Sequence, residues 1–164
     1  MFAITHPTTP EQDPRYPEAL ALHQGGDPAA ALPLYESLYR RWPYHAHLLA
    51  ILGTCRMQLG DLPGGLGLLD QALVFAPDLS FALTNRASAL AAQGRLAEAL
   101  AAYQALPDSP EVLAQRGGLL ARLERFDEAL AAYDVALALE PERATSHHGR
   151  GQVLAKLTRP EEAL

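Results

Sequence analysis

Ala97-Glu98-Ala99-Leu100-Ala101-Ala102-Tyr103 and Asp127-Glu128-Ala129-Leu130-Ala131-Ala132-Tyr133 are two versions of one heptapeptide, set 30 residues apart. A further version begins at Glu161-Glu162-Ala163-Leu164, and looser ones occupy Ala30-Ala31-Leu32 with Tyr35 and Gly64-Gly65-Leu66 with Leu69. On this register the small residues Ala31, Gly65, Ala99, Ala129 and Ala163 are spaced 34, 34, 30 and 34. The column Ala19, Gly53, Ala87, Gly117 and Gly151 keeps the same intervals. So does Gly26, Gly60, Gly94, Glu124 and Thr158, where the chain is expected to turn. Pro43 and Pro77 lie 34 apart, and Pro141 follows 64 later, one long interval plus one short. Columns of different chemistry that agree on one register mark an internal repeat, and a period of this size belongs to arrays of small supersecondary units.

Each repeat reads as two antiparallel helices. In the second, Leu49, Leu52, Gly53 and Arg56 start one stripe, Gly60-Asp61 breaks it, and Leu66, Leu69, Ala72 and Leu73 form another. Residues three and four apart share a helix face, so each helix carries an apolar stripe that it must bury against a neighbour. Pro28, Pro63 and Pro160 fall where a second helix should begin, a position that tolerates a missing N–H. Pro43, Pro77 and Pro141 should follow its end, because proline cannot continue a helix without losing a hydrogen bond. Small residues at Gly53 and Gly65 let paired helices approach closely. The repeats are expected at about residues 13–45, 46–79, 80–109 and 110–143, with a partial fifth at 144–164 behind a flexible tail at 1–12.

Composition agrees with a helical reading. Apolar residues make up 49% and charged residues 20% of 164, with alanine and leucine dominant and runs of β-branched residues nearly absent. The net charge of −6 and the lack of a Lys/Arg cluster argue against nucleic acid as a partner. The single cysteine, Cys55, excludes an internal disulfide and any multi-cysteine metal site. The first dozen residues lack the features of a signal peptide, and no apolar run approaches membrane-spanning length. A soluble, cytoplasmic protein with no membrane contact is the expectation.

The small and aromatic columns, the period of 34 and the closing proline together resemble the tetratricopeptide repeat (TPR) family, over roughly Asp13 to Leu164. The resemblance implies an all-α fold, a right-handed α-solenoid of antiparallel helix pairs. Departures from the pattern carry their own expectations. The usual first aromatic is replaced by Leu49, Leu83, Leu113 and His147, and Arg15 and Glu18 in the first repeat suit an exposed end cap. Pro33 should kink its helix, and Gly64, Gly65 and Gly67 crowd another, each costing roughly 1 kcal/mol relative to alanine. The third repeat is four residues short and should have a truncated second helix. The chain ends inside the fifth repeat, so it reads as a fragment of a longer protein, with Val153, Leu154 and Leu157 partly uncovered beside a stub at Pro160 to Leu164.

In TPR proteins the first helices line a concave groove where ligands lie, and the resemblance carries that role onto specific positions here. They are His47, Ala50, Ile51, Thr54, Met57 and Gln58 in the second repeat and Phe81, Thr84, Asn85, Ser88 and Ala92 in the third. Glu111, Ala114, Gln115, Gly118 and Arg122 follow in the fourth, then Thr145, His148, Gln152 and Lys156 in the partial fifth. The alternative for all of them is solvated surface. Family members that grip a terminal carboxylate do so from places occupied here by Ala50, Thr54, Asn85, Glu111 and Gln115, of which only Asn85 matches. The asparagine ladder of TPR glycosyltransferases is likewise met by Asn85 alone, with Gln115 as a substitute.

The remaining residues point away from chemistry. His45 and His47, and the adjacent His147 and His148, lack the i, i+4 spacing that aims two imidazoles at one ion, so no metal and no cofactor is expected. Cys55 lies in a helix without an orienting histidine and reads as a buried structural thiol. Pro63-Gly64-Gly65-Leu66-Gly67 follows a helix rather than a strand and lacks the Gly-Lys-Ser/Thr ending of a phosphate loop. The chain therefore reads as a non-enzymatic scaffold that binds a protein or peptide in its groove. The alternative is the substrate-recruiting segment of a larger enzyme, such as a glycosyltransferase or sulfotransferase, and a third reading is self-association through the exposed C-terminal end.

Overall fold

The computed structural model describes residues 8–158. After a short 3-10 turn at Pro10–Gln12 come nine α-helices among the described residues, with no strand. They are α1 (Arg15–Gln24), α2 (Pro28–Arg41), α3 (Ala46–Gln58), α4 (Leu62–Phe75), α5 (Ser80–Ala92), α6 (Leu96–Gln104), α7 (Pro110–Arg122), α8 (Phe126–Leu139) and α9 (Ala144–Thr158). The helix expected to start at Pro160 lies outside the described residues.

The turns inside each pair are short, at 25–27, 59–61, 93–95 and 123–125, which forces the flanking helices to run antiparallel. Each is closed by the same device. Gly26, Gly60, Gly94 and Glu124 adopt left-handed φ values of 86°, 92°, 77° and 60°. The next amide then donates back into the preceding helix, as in Asp61 N–H to Arg56 C=O at 2.9 Å and Arg125 N–H to Leu120 C=O at 2.9 Å. Asp27 and Asp61 cap the second helices by accepting from Ala30 N–H and Gly64 N–H, each at 2.9 Å. Pro28 and Pro63 sit in the first turn of α2 and α4. Those two helices and α8 end at Arg41, Phe75 and Leu139, two residues before their prolines. α2 continues through Pro33. α6 has 9 residues where α2, α4 and α8 have 14, as the shortened third repeat requires.

The chain divides into two compact blocks, Met1–Arg86 and Ala87–Leu164, with the boundary inside α5. In the N-terminal block, Tyr35, Leu38, Leu48, Leu52 and Leu69 are fully buried. α3 and α4 meet through glycine. A Cβ on Gly53 would stand 2.8 Å from the Gly65 carbonyl, and one on Gly65 would stand 2.6 Å from the Gly53 carbonyl. Cys55 is buried, its thiol donates to the Pro28 carbonyl at 3.2 Å, and burial pushes its pKa up. Of the expected tail, residues 8–12 carry the 3-10 turn, where Pro10 is buried and Trp42 Nε1–H reaches the Thr8 carbonyl at 3.3 Å. Residues 1–7 lie outside the described residues. The turn leads into Asp13, whose carboxylate takes Arg15 Nε at 2.8 Å and Nη2 at 2.7 Å.

In the C-terminal block, Ala99, Ala129 and Ala136 are fully buried and Tyr103 and Tyr133 nearly so. Two expectations need correction. Gly151 belongs to the small column but is exposed, and nothing stands within 4 Å of a Cβ placed on it. Gly53, in the same column, is covered by Gly65, Leu68 and Leu69. Val153, expected partly uncovered, is only 1% exposed, while Leu154 and Leu157 are exposed. The stub at Pro160 to Leu164 lies outside the described residues.

Candidate functional site

In the N-terminal block the first helices leave a concavity of about 390 Å³. Its apolar surface comes from Leu20 of α1, Ile51 of α3 and Phe81 of α5, with Thr54 between them. His23, Gln24, His47 and Gln58 supply polar edges. Phe81 keeps 45% of its surface exposed, an aromatic side chain that its own block leaves half uncovered. The polar groups are held in place. His23 Nε2 and Gln58 Oε1 are 2.8 Å apart, Tyr35 OH and His23 Nδ1 are 3.4 Å apart, and Thr54 Oγ1 donates to the Ala50 carbonyl at 2.9 Å. A volume of this size with an apolar floor and a few fixed polar groups suits insertion of a side chain from a bound segment.

In the C-terminal block two neighbouring concavities of about 360 and 540 Å³ share Gly118 and Arg122. Ser88, Tyr103 and Gln115 line the first, and Tyr133, Gln152 and Lys156 the second. Tyr103 OH and Ser88 Oγ lie 2.6 Å apart. Tyr133 reaches between α7 and α9 because both helices carry glycine opposite its ring. A Cβ on Gly117 would come within 2.9 Å of the ring, and one on Gly149 would clash with it outright. Burial raises the pKa of both phenols, so each stays a neutral hydrogen-bonding group at physiological pH.

Of the groove candidates, His47, Thr54 and Phe81 line the first concavity, and Ser88, Gln115, Arg122 and Gln152 line the other two. Thr84 and Asn85 are half-buried on α5 and line none of the three, and Asn85 Nδ2 is buried without a hydrogen-bond partner. Glu111 is exposed, with Arg143 3.9 Å away, and His148 is exposed outside these concavities. Sequence reasoning missed Leu20, His23 and Gln24, although Leu20 and Gln24 stand 34 residues before Thr54 and Gln58. It also missed Tyr103 and Tyr133, which line the concavities of the C-terminal block and whose aromatic column served only to carry the family resemblance. Among the described residues no cluster of three or more His, Cys, Asp or Glu side chains could hold a metal. No described helix is long and apolar enough to cross a membrane.

Antiparallel helix pairs with small residues at their crossings and concavities along their first helices define an all-α repeat protein. A tetratricopeptide repeat model matches residues 16–80 and 82–111, and a second model of the same repeat matches 110–143. The chain belongs to the tetratricopeptide repeat family. Among solved structures it is similar to a tetratricopeptide repeat protein from Parabacteroides merdae, at 25% identity and a TM-score of 0.72 over 85% of this chain. The match spans 57% of that relative's length. It also resembles MamA from Desulfovibrio magneticus RS-1, at 19% identity and a TM-score of 0.77, over 88% of this chain and 84% of that one. YrrB, described as a TPR protein with an unusual peptide-binding site, aligns at 21% identity and a TM-score of 0.71 over 84% of this chain and 73% of its own. No curated protein matches the chain.

Proposed function

We propose that this chain is a protein-interaction scaffold that holds a peptide segment of a partner against its first helices. The observation that carries this reading is the concavity formed by Leu20, Ile51 and Phe81 with fixed polar groups around it. Apolar surface left open beside oriented hydrogen-bonding groups is what a side-chain anchor on a bound peptide requires. The likeness in fold to YrrB, itself a TPR protein with a peptide-binding site, is consistent with the same use.

The test is selection of binders from a displayed random-peptide library, followed by calorimetry on the best sequence. Phe81→Ala should weaken its binding about tenfold, since truncating a large anchor contact costs on the order of 1–2 kcal/mol. Val74→Ala, at a side chain 75% exposed on α4, should leave it unchanged. Equal affinity for wild type and Phe81→Ala would remove the first concavity from the site.

A further inference from the structure

The charged side chains of this protein are mostly neutralised in pairs, and the exceptions are informative. Of its thirteen lysines and arginines, Arg159 lies outside the described residues. Nine of the rest are salt-bridged to a carboxylate, from Arg15 with Asp13 to Arg150 with Asp134. Among the described residues, Arg40, Arg122 and Lys156 have no such partner. Arg122 and Lys156 are 34 residues apart, in the same place on α7 and α9, and both line the 540 Å³ concavity. Arg122 Nη2 donates to the Ala91 carbonyl at 3.2 Å, and Lys156 Nζ stands 5.7 Å from the centre of the Phe126 ring. Each head is thus positioned by one contact that leaves its charge uncompensated. Among the described residues, no carboxylate lines either concavity of this block.

A cation in the last turn of a helix is favoured by the helix dipole, but that does not account for the missing carboxylates. Arg56, which also lies in the last turn of a helix, two residues before the end of α3, is paired with Glu36 at 2.9 Å. In a chain of net charge −6, two uncompensated cations over a floor of Tyr133 and Val153 form a local positive site. We infer that the C-terminal block binds an acidic peptide, with glutamate or aspartate carboxylates meeting Arg122 and Lys156 and an intervening apolar side chain set against Tyr133. This rests on the peptide-binding reading above and names the partner chemistry for its second half.

The test uses the whole chain and a fluorescein-labelled peptide alternating glutamate with leucine, blocked at both ends so that no terminal carboxylate contributes. Fluorescence anisotropy should show saturable binding that weakens as salt rises, because exposed ion pairs are screened. Arg122→Gln and Lys156→Gln should each weaken it about three- to tenfold. Thermal melts should stay close to wild type, since both side chains are exposed. The double variant Arg122→Glu/Lys156→Glu should lose the acidic peptide and gain affinity for a lysine–leucine counterpart. If a glutamine–leucine peptide binds as tightly as the glutamate one and ignores these substitutions, the acidic assignment is overturned while peptide binding stands. Absence of binding by the glutamate peptide also overturns it. Displacement of that peptide by a single-stranded oligonucleotide at far lower concentration than by free glutamate peptide would reassign the site to nucleic acid.

Discussion

Glu124 occupies a left-handed backbone at φ 60°, where the three preceding repeats use Gly26, Gly60 and Gly94. A side chain in that region is disfavoured by contact between Cβ and the backbone, at a cost of about 1 kcal/mol. Glu124→Gly is therefore expected to raise stability by about that amount, read as a higher urea midpoint with unchanged m-value. A fall would mean that the Glu124 side chain does more than fill the turn. The turn column was legible because its spacing matched the other columns. Asp13 was not, because its role depends on where Arg15 and Arg41 come to rest. Hydrogen bonds from Arg15, above all, lower its pKa to about 2. A depressed carboxyl pKa stabilises the fold above the unfolded value and loses that contribution as pH falls through the folded value. Asp13→Asn should thus be less stable than wild type at neutral pH and converge with it between about pH 4 and pH 2. A stability difference that stays constant across that range would contradict the assignment.

The helix α4 shows why composition alone misjudges an element. Gly64, Gly65 and Gly67 are equally weak helix formers, of which only Gly65 falls in the small-residue column, and their surroundings differ. Gly64 lies against the capping Asp61 carboxylate, Gly65 meets the backbone of Gly53, and nothing stands within 4 Å of a Cβ on Gly67. Gly67→Ala should therefore stabilise by about 0.5–1 kcal/mol through helix propensity. Gly65→Ala should destabilise by about 1–3 kcal/mol, because α3 and α4 must separate to admit the methyl. Thermal unfolding of the two variants checks the pair, and shifts of the same sign would refute the packing of α3 on α4. Helix existence, order and the short α6 were readable because apolar spacing and proline placement are local signals. The exposure of Gly151 was not, since a column records a position in the repeat and not whether a neighbour covers it.

Across the molecule, the family resemblance assigned a line of first-helix positions as binding candidates, and each block places some of them around a concavity. Twelve of the twenty positions that the resemblance assigns to the first helices line a concavity in one block or the other. What it left out is physical in origin. Leu20 and Gln24 belong to a first repeat whose register is blurred by Arg15 and Glu18. Tyr103 and Tyr133 reach the concavities from second helices, Tyr133 because Gly117 and Gly149 face its ring. The unpaired state of Arg122 and Lys156 depends on where carboxylates fall in three dimensions, which no spacing rule records. The proposed binding surface lies on the first helices, with an apolar anchor site in one block and a cationic one in the other. The most direct test is an NMR titration of the isotope-labelled chain with a library-selected peptide. The account predicts amide shifts concentrated at Leu20, Ile51, Phe81, Gln115 and Gln152. Shifts confined to Tyr44, Val74 and Val135, which are exposed and line none of the concavities, would contradict it.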